Sequence, residues 1–151
     1  RGMTFVPGLP TLPGYPFHVD PKSAAPADMS ERMIQRHMLV MVRRLFPLCK
    51  IAHVPNGGKR NKLEAAHLKA DGVLSGWPDL VITWGGCGVA FPEVKDRDGD
   101  MSKEQKDLLT DLSGQGHFCG VFRHDRTLHD FLRFAGAPFQ PKLPHQFLPP
   151  G

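Results

Sequence analysis

The chain has 151 residues, 40% of them hydrophobic and 23% charged, with a formal charge of +4 and a pI near 9.2. That length fits one domain with a real core, and the charge permits a polyanionic partner without demanding one. Cys49, Cys87 and Cys119 are odd in number and lack metal-ligand spacing, which points to free thiols in a reducing compartment. No apolar run reaches the ~18 residues of a membrane helix and no charged-then-apolar leader opens the chain. Neither a membrane partner nor a signal peptide is expected.

Residues 1–27 carry six prolines and no sustained periodicity. They read as an extended arm, unable to form helix and poor for central strands, that is disordered, packs on the domain or crosses to a second subunit. Residues 137–151, with five prolines, read as a tail of the same kind, leaving 28–136 as the folded domain. Ile34, Met38, Met41, Val42 and Leu45 recur at helical spacing and predict a first helix from about Met29 to Phe46, ended by Pro47. Asp28 with Glu31 fits a capping box; alternatively, Glu31 lies on the inward stripe one turn before Ile34 and reaches a functional site.

Lys50 to Val54 reads as a strand and Pro55-Asn56-Gly57-Gly58 as a turn. A short helix opens at Lys59-Arg60-Asn61-Lys62 and ends near Ala70, with Gly72 just beyond it. Lys50 to Lys69 holds five basic residues against one acid, Glu64. A solvated helix face is the plain explanation. The run directly precedes an acidic motif, however, so Lys59, Arg60, Lys62 and Lys69 are candidate DNA-phosphate contacts. His53, Asn56 and His67 superficially suggest an HNH nuclease, but the required ββα context is missing.

The informative stretch runs from Gly76 to Lys95. Two short runs rich in β-branched and aromatic residues flank Gly85-Gly86-Cys87-Gly88 and predict a β-hairpin. With a three-residue loop, Trp84 opposes Gly88 and Asp79 opposes Glu93; a two-residue loop would oppose Asp79 to Pro92. Opposed residues in an antiparallel pair point to one side, and Lys95 falls on that side as well. Two facing carboxylates repel, and a divalent cation turns that repulsion into attraction, Mg²⁺ or Mn²⁺ being suited to oxygen ligands. A nearby lysine then polarises a nucleophile or neutralises charge on a phosphate.

Asp96-Arg97-Asp98-Gly99-Asp100 has the wrong glycine and acid positions for an EF-hand and reads as a polar turn. A calcium-stabilised interaction domain built on these acids is disfavoured for the same reason. Ser102 and Gln105 fit a capping box at the start of a helix over Lys103–Leu112, with Leu108, Leu109 and Leu112 inward and Gly114 as its stop. His117–Phe122 suits a buried strand parallel to the Glu93 strand, because a helix joins the two. Asp125 caps a last helix from Arg126 to about Ala135. The order α–β–α–β–β–α–β–α describes an α/β fold with a mixed central sheet flanked by helices, charge appearing at one end of the sheet.

Pro78-Asp79 followed after thirteen residues by Glu93-Val94-Lys95 resembles the PD-(D/E)XK nuclease signature. Gly72–Leu80, together with Glu93-Val94-Lys95 and Met101-Ser102-Lys103-Glu104-Gln105, is similar to the VRR-NUC branch, which includes stand-alone phage and bacterial nucleases and the Fanconi-associated nuclease. The resemblance spans roughly Met29 to His124. It implies a restriction-endonuclease-like fold and a Mg²⁺-dependent DNA endonuclease, with Mn²⁺ able to substitute. Asp79, Glu93 and the Val94 carbonyl would be metal ligands, and Lys95, Gln105 and a first-helix acid, here Glu31, catalytic partners. It further implies branched DNA such as Holliday junctions as substrate, a homodimer, and the cytoplasm of a bacterium or phage-infected host. A non-catalytic DNA-binding module on the same fold is the alternative.

Overall fold

The computed structural model of the chain describes residues 6–55 and 61–140. Its strands are β1 (His18–Val19), β2 (Lys50–His53), β3 (Leu80–Trp84), β4 (Gly88–Val94) and β5 (Phe118–Phe122). Its α-helices are α1 (Glu31–Leu45), α2 (Lys62–Ala70), α3 (Lys103–Gly114) and α4 (Asp125–Ala135). The strands form one mixed sheet in the order β1-β5-β4-β3-β2. The fold is α/β, as the alternation of patterns requires, with β1 an addition.

The hairpin has the three-residue loop. Trp84 pairs with Gly88, Thr83 with Val89 and Ile82 with Ala90, and Gly86 and Cys87 take positive φ values of 79° and 66° to close the turn. β5 runs parallel to β4, from Ala90 opposite Phe118 to Val94 opposite Phe122, with α3 as the crossover. β2 is antiparallel to β3 at the far edge.

Side chains alternate across the sheet, so the central strands β3, β4 and β5 feed two apolar layers. On one face Ile34, Met38 and Val42 of α1 and Leu128, Phe131 and Leu132 of α4 pack with Leu80, Ile82, Ala90 and Val94. On the other, Leu109 and Leu112 of α3 meet Phe17, Val19, Phe91, Cys119 and Val121. No residue of α2 is buried.

Two caps differ from expectation. Ser30, not Asp28, caps α1, its Oγ accepting from the Met33 amide at 3.2 Å; it directly precedes the first helical residue, and Glu31 is left free of a capping duty. His124, not Asp125, caps α4, its Nδ1 accepting from the Arg126 amide at 2.9 Å. The described part of the proline-rich arm packs on the domain. Phe17, His18, Val19 and Asp20 are at most 2% exposed, and β1 adds to the sheet edge beside β5. Pro16 and Pro21 bracket these four residues, which confines the strand to a short edge piece.

Candidate active site

One end of the sheet collects nearly all the chemistry. β3 begins there just after Asp79, and β2, β4 and β5 end there at His53, at Glu93 to Lys95, and before Arg123. The amino ends of α1 and α3 bring Glu31 and Gln105.

Asp79 is fixed by the backbone on both sides. Its Oδ2 accepts from the Val94 amide at 2.8 Å. Its carbonyl accepts from the Val54 amide at 2.8 Å and from His53 Nδ1 at 3.0 Å. The approach to Asp79 depends on Gly76, which has φ +83°. A Cβ there would lie 2.6 Å from the Glu104 carbonyl carbon and 2.7 Å from the Gln105 nitrogen. Only glycine lets the loop before Asp79 rest against the first turn of α3, and this contact brings Asp79 and Gln105 to one place.

Glu93 is 1% exposed. Its Oε2 accepts from Gln105 Nε2 at 2.8 Å and lies 3.4 Å from Lys95 Nζ. Its Oε1 is buried with no donor among the described residues, and the carboxyl hydrogen-bonds Asp79 when protonated. Burial, then the charge of Asp79, pushes its pKa from 4.5 up to about 8, against the pull of Lys95. Gln105 also completes the expected capping box: Ser102 Oγ accepts from its amide at 3.1 Å, and its Oε1 accepts from the Ser102 amide at 2.9 Å. One amide side chain therefore both starts α3 and holds Glu93. Glu31 is half-buried; burial and the charge of Asp79 raise its pKa, while Lys95 opposes. Glu31 and Asp79 line one open cleft of about 520 Å³.

Could this set hold a cation? Among the described residues no group of three His, Cys, Asp or Glu side chains is placed to hold one. Mg²⁺ seldom requires such a cage. It is usually bound by one or two carboxylates, with water and phosphate oxygens completing an octahedron. The facing acids Asp79 and Glu93 match that donor set, and Glu93 Oε1, which no donor among the described residues meets, is an oxygen in need of a partner once ionised. The residues fit a hard divalent ion.

Asp79, Glu93, Val94, Lys95, Gln105 and Glu31 are thus brought to one end of the sheet. Lys62 and Lys69 are exposed on α2, and Lys59 and Arg60 lie outside the described residues. Asp96 is used internally, its Oδ1 accepting from the Gly99 amide at 2.8 Å and the Asp98 amide at 3.1 Å, while Asp100 pairs with Lys22 at 2.9 Å.

Sequence reasoning missed the support beneath the site. Arg123, 4% exposed, donates through Nε to the Asp20 carbonyl at 3.2 Å and through Nη1 to the carbonyls of Asp96 and of Gly99, the latter at 2.9 Å. Asp20, fully buried, accepts from the Arg123 amide at 2.8 Å and from Thr127 Oγ1, and meets His18 Nε2 at 2.5 Å. This network clamps the turn that follows Lys95. An arginine directly after a buried strand was the one available signal; Asp20, set among prolines, offered none.

Fold and site together define an α/β domain with a mixed five-stranded sheet and a carboxylate–lysine cluster at one sheet end. A solved structure described as a VRR_NUC domain protein has the same fold, with a TM-score of 0.57 and 22% sequence identity over 73% of this chain and 90% of that one. The mixed-sheet α/β fold expected from the order of elements is the fold the chain has, and it matches that neighbour. No family model matches the sequence, nor does any curated protein. No helix among the described residues is long and apolar enough to cross a membrane.

Proposed function

We propose that this chain is a Mg²⁺-dependent DNA endonuclease of the VRR-NUC type, hydrolysing phosphodiester bonds at the Asp79–Glu93–Lys95 cluster. The observation that carries the reading is Glu93: a buried carboxyl with one oxygen that no donor among the described residues meets, facing a second carboxylate and touching a lysine. An unsatisfied buried polar group costs roughly 1–3 kcal/mol, and a module that only bound DNA would have no use for it. The VRR_NUC fold likeness and the matching motif support the same conclusion.

Asp79, Glu93 and the Val94 carbonyl would hold Mg²⁺, or Mn²⁺ in its place. When bound, such an ion polarises a phosphoryl oxygen and lowers the pKa of coordinated water. The chain's own groups do the rest. Gln105 holds the Glu93 carboxylate in one orientation. Lys95 presents fixed positive charge where negative charge develops on the phosphate, and such preorganised charge is worth most in a site shielded from water. Glu31, its pKa raised by burial and by the charge of Asp79, would take the proton that the attacking water loses. Lys59, Arg60, Lys62 and Lys69 would contact flanking phosphates.

The preference for branched DNA, Holliday junctions especially, and action as a homodimer rest on the resemblance to the VRR-NUC branch. A two-fold dimer would offer paired sites for symmetrical incisions. The test is cleavage of linear, flap and four-way DNA with and without Mg²⁺, by the wild type and by Asp79→Ala and Glu93→Ala. The wild type should cut only with the metal, and both variants should bind DNA but leave it intact. Cleavage retained by both purified variants would end the assignment to this site.

A further inference from the structure

The acids that suit this site to a cation also repel a DNA strand. Glu31 and Asp79 face the cleft, and Lys95 is only 9% exposed and engaged with Glu93. Some cation on the cleft wall has to offset that field if a phosphate backbone is to enter. The same cleft is lined by Arg32 and Arg36 of α1, with Gln35 and His53 beside them. Residues four apart lie on one helix face, so the two side chains leave the helix about 6 Å apart along its axis at ~1.5 Å per residue. Both arginines are exposed, and neither has a carboxylate partner among the described residues. An arginine fork matches phosphate oxygens in two-point contact. Gln35 and His53 add neutral hydrogen-bonding groups to the same wall.

We propose that the α1 face bearing Arg32 and Arg36 is the track for the DNA strand that enters the acidic site, each guanidinium holding a backbone phosphate beside the scissile one. The inference rests on the nuclease reading and deepens it by giving the strand a path. It requires no contact to base edges, so the track binds duplex and branched DNA alike.

The test compares Arg32→Gln/Arg36→Gln with Arg43→Gln/Arg44→Gln, which removes equal charge from the other end of the same helix. Binding of a labelled DNA duplex is measured across a salt series without divalent metal, and cleavage is measured with Mg²⁺. Removing two phosphate contacts should flatten the slope of log affinity against log salt by about two units and weaken low-salt binding at least tenfold. KM should rise with kcat changed less than about threefold, because the lost contacts are made equally in ground and transition states. The Arg43/Arg44 variant should change the slope less. A slope unchanged in the Arg32/Arg36 variant, or changed no more than in its control, overturns the track. If the wild type binds with a steep slope that this variant loses, yet never cleaves, the track stands and the nuclease reading fails. If the wild type cleaves while the variant keeps its slope, the track alone falls.

Discussion

At the scale of single residues, Glu93 concentrates the argument. Its folded pKa of about 8 lies above the ordinary 4.5, so the folded state binds more protons between those values. The stability linked to this group is complete below about 4.5 and is lost as pH rises toward about 8. The metal-free protein should therefore melt at progressively lower temperature across that window. Glu93→Gln keeps the Gln105 contact without the charge, and should melt several degrees higher than the wild type at pH 8; scanning calorimetry at pH 5, 6.5 and 8 reads both. A wild type whose melting temperature climbs over this range would contradict the assigned burial. Lys95 is predicted to act differently. Lys95→Ala should lower the cleavage rate strongly while leaving Mg²⁺ affinity little changed, since a lysine acts in the transition state and is no ligand. Full rescue by excess Mg²⁺ would assign the lysine to metal retention instead.

At the scale of elements, the hairpin was legible because its alternation and glycine loop admit few registers, and the register then puts Asp79 opposite Glu93. The Ser102–Gln105 box was legible for a similar reason, the signal being local. What pins these pieces together was not. Gly76 is a glycine because the backbone of α3 lies against it, a long-range fact with no short-range signature. Gly76→Ala combines a left-handed backbone, at about 1–2 kcal/mol for an ordinary residue, with a backbone collision. It should lower the melting temperature and also reduce cleavage, by shifting Asp79 away from Glu93. The network around Asp20 and Arg123 was equally hidden, because a proline-rich arm gives no periodicity from which to place one buried strand. Asp20→Ala strands the Arg123 amide and His18, while Thr127 keeps the His124 carbonyl as its acceptor. Denaturant unfolding should show a loss of about 3 kcal/mol or more, each abandoned buried partner being worth ~1–3 kcal/mol. A loss under ~1 kcal/mol would mean that the arm is no part of the domain's support.

At the scale of the whole molecule, the candidate site follows from a topological coincidence. Antiparallel β3 and β4 bring the start of one strand and the end of the other to the same end of the sheet. The crossover from β4 to β5 starts α3 at that end, with Gln105 in its first turn. Helix α1 arrives with Glu31 at its first residue and the two arginines one turn apart on the cleft side. The result is an acidic pocket with a basic approach, on a fold whose two apolar layers keep the rest of the sheet inert. Asp79 and Glu93 are proposed to form a divalent-metal site. Calorimetric titration of Mn²⁺ into the wild type, Asp79→Asn and Glu93→Gln at pH 7, in buffers of different ionisation enthalpy, tests it directly. The wild type should bind the ion and release part of a proton, because a carboxyl with a pKa of about 8 has to ionise to become a ligand, and both variants should lose that binding. Binding of equal strength in all three proteins, or none in the wild type, would contradict the account.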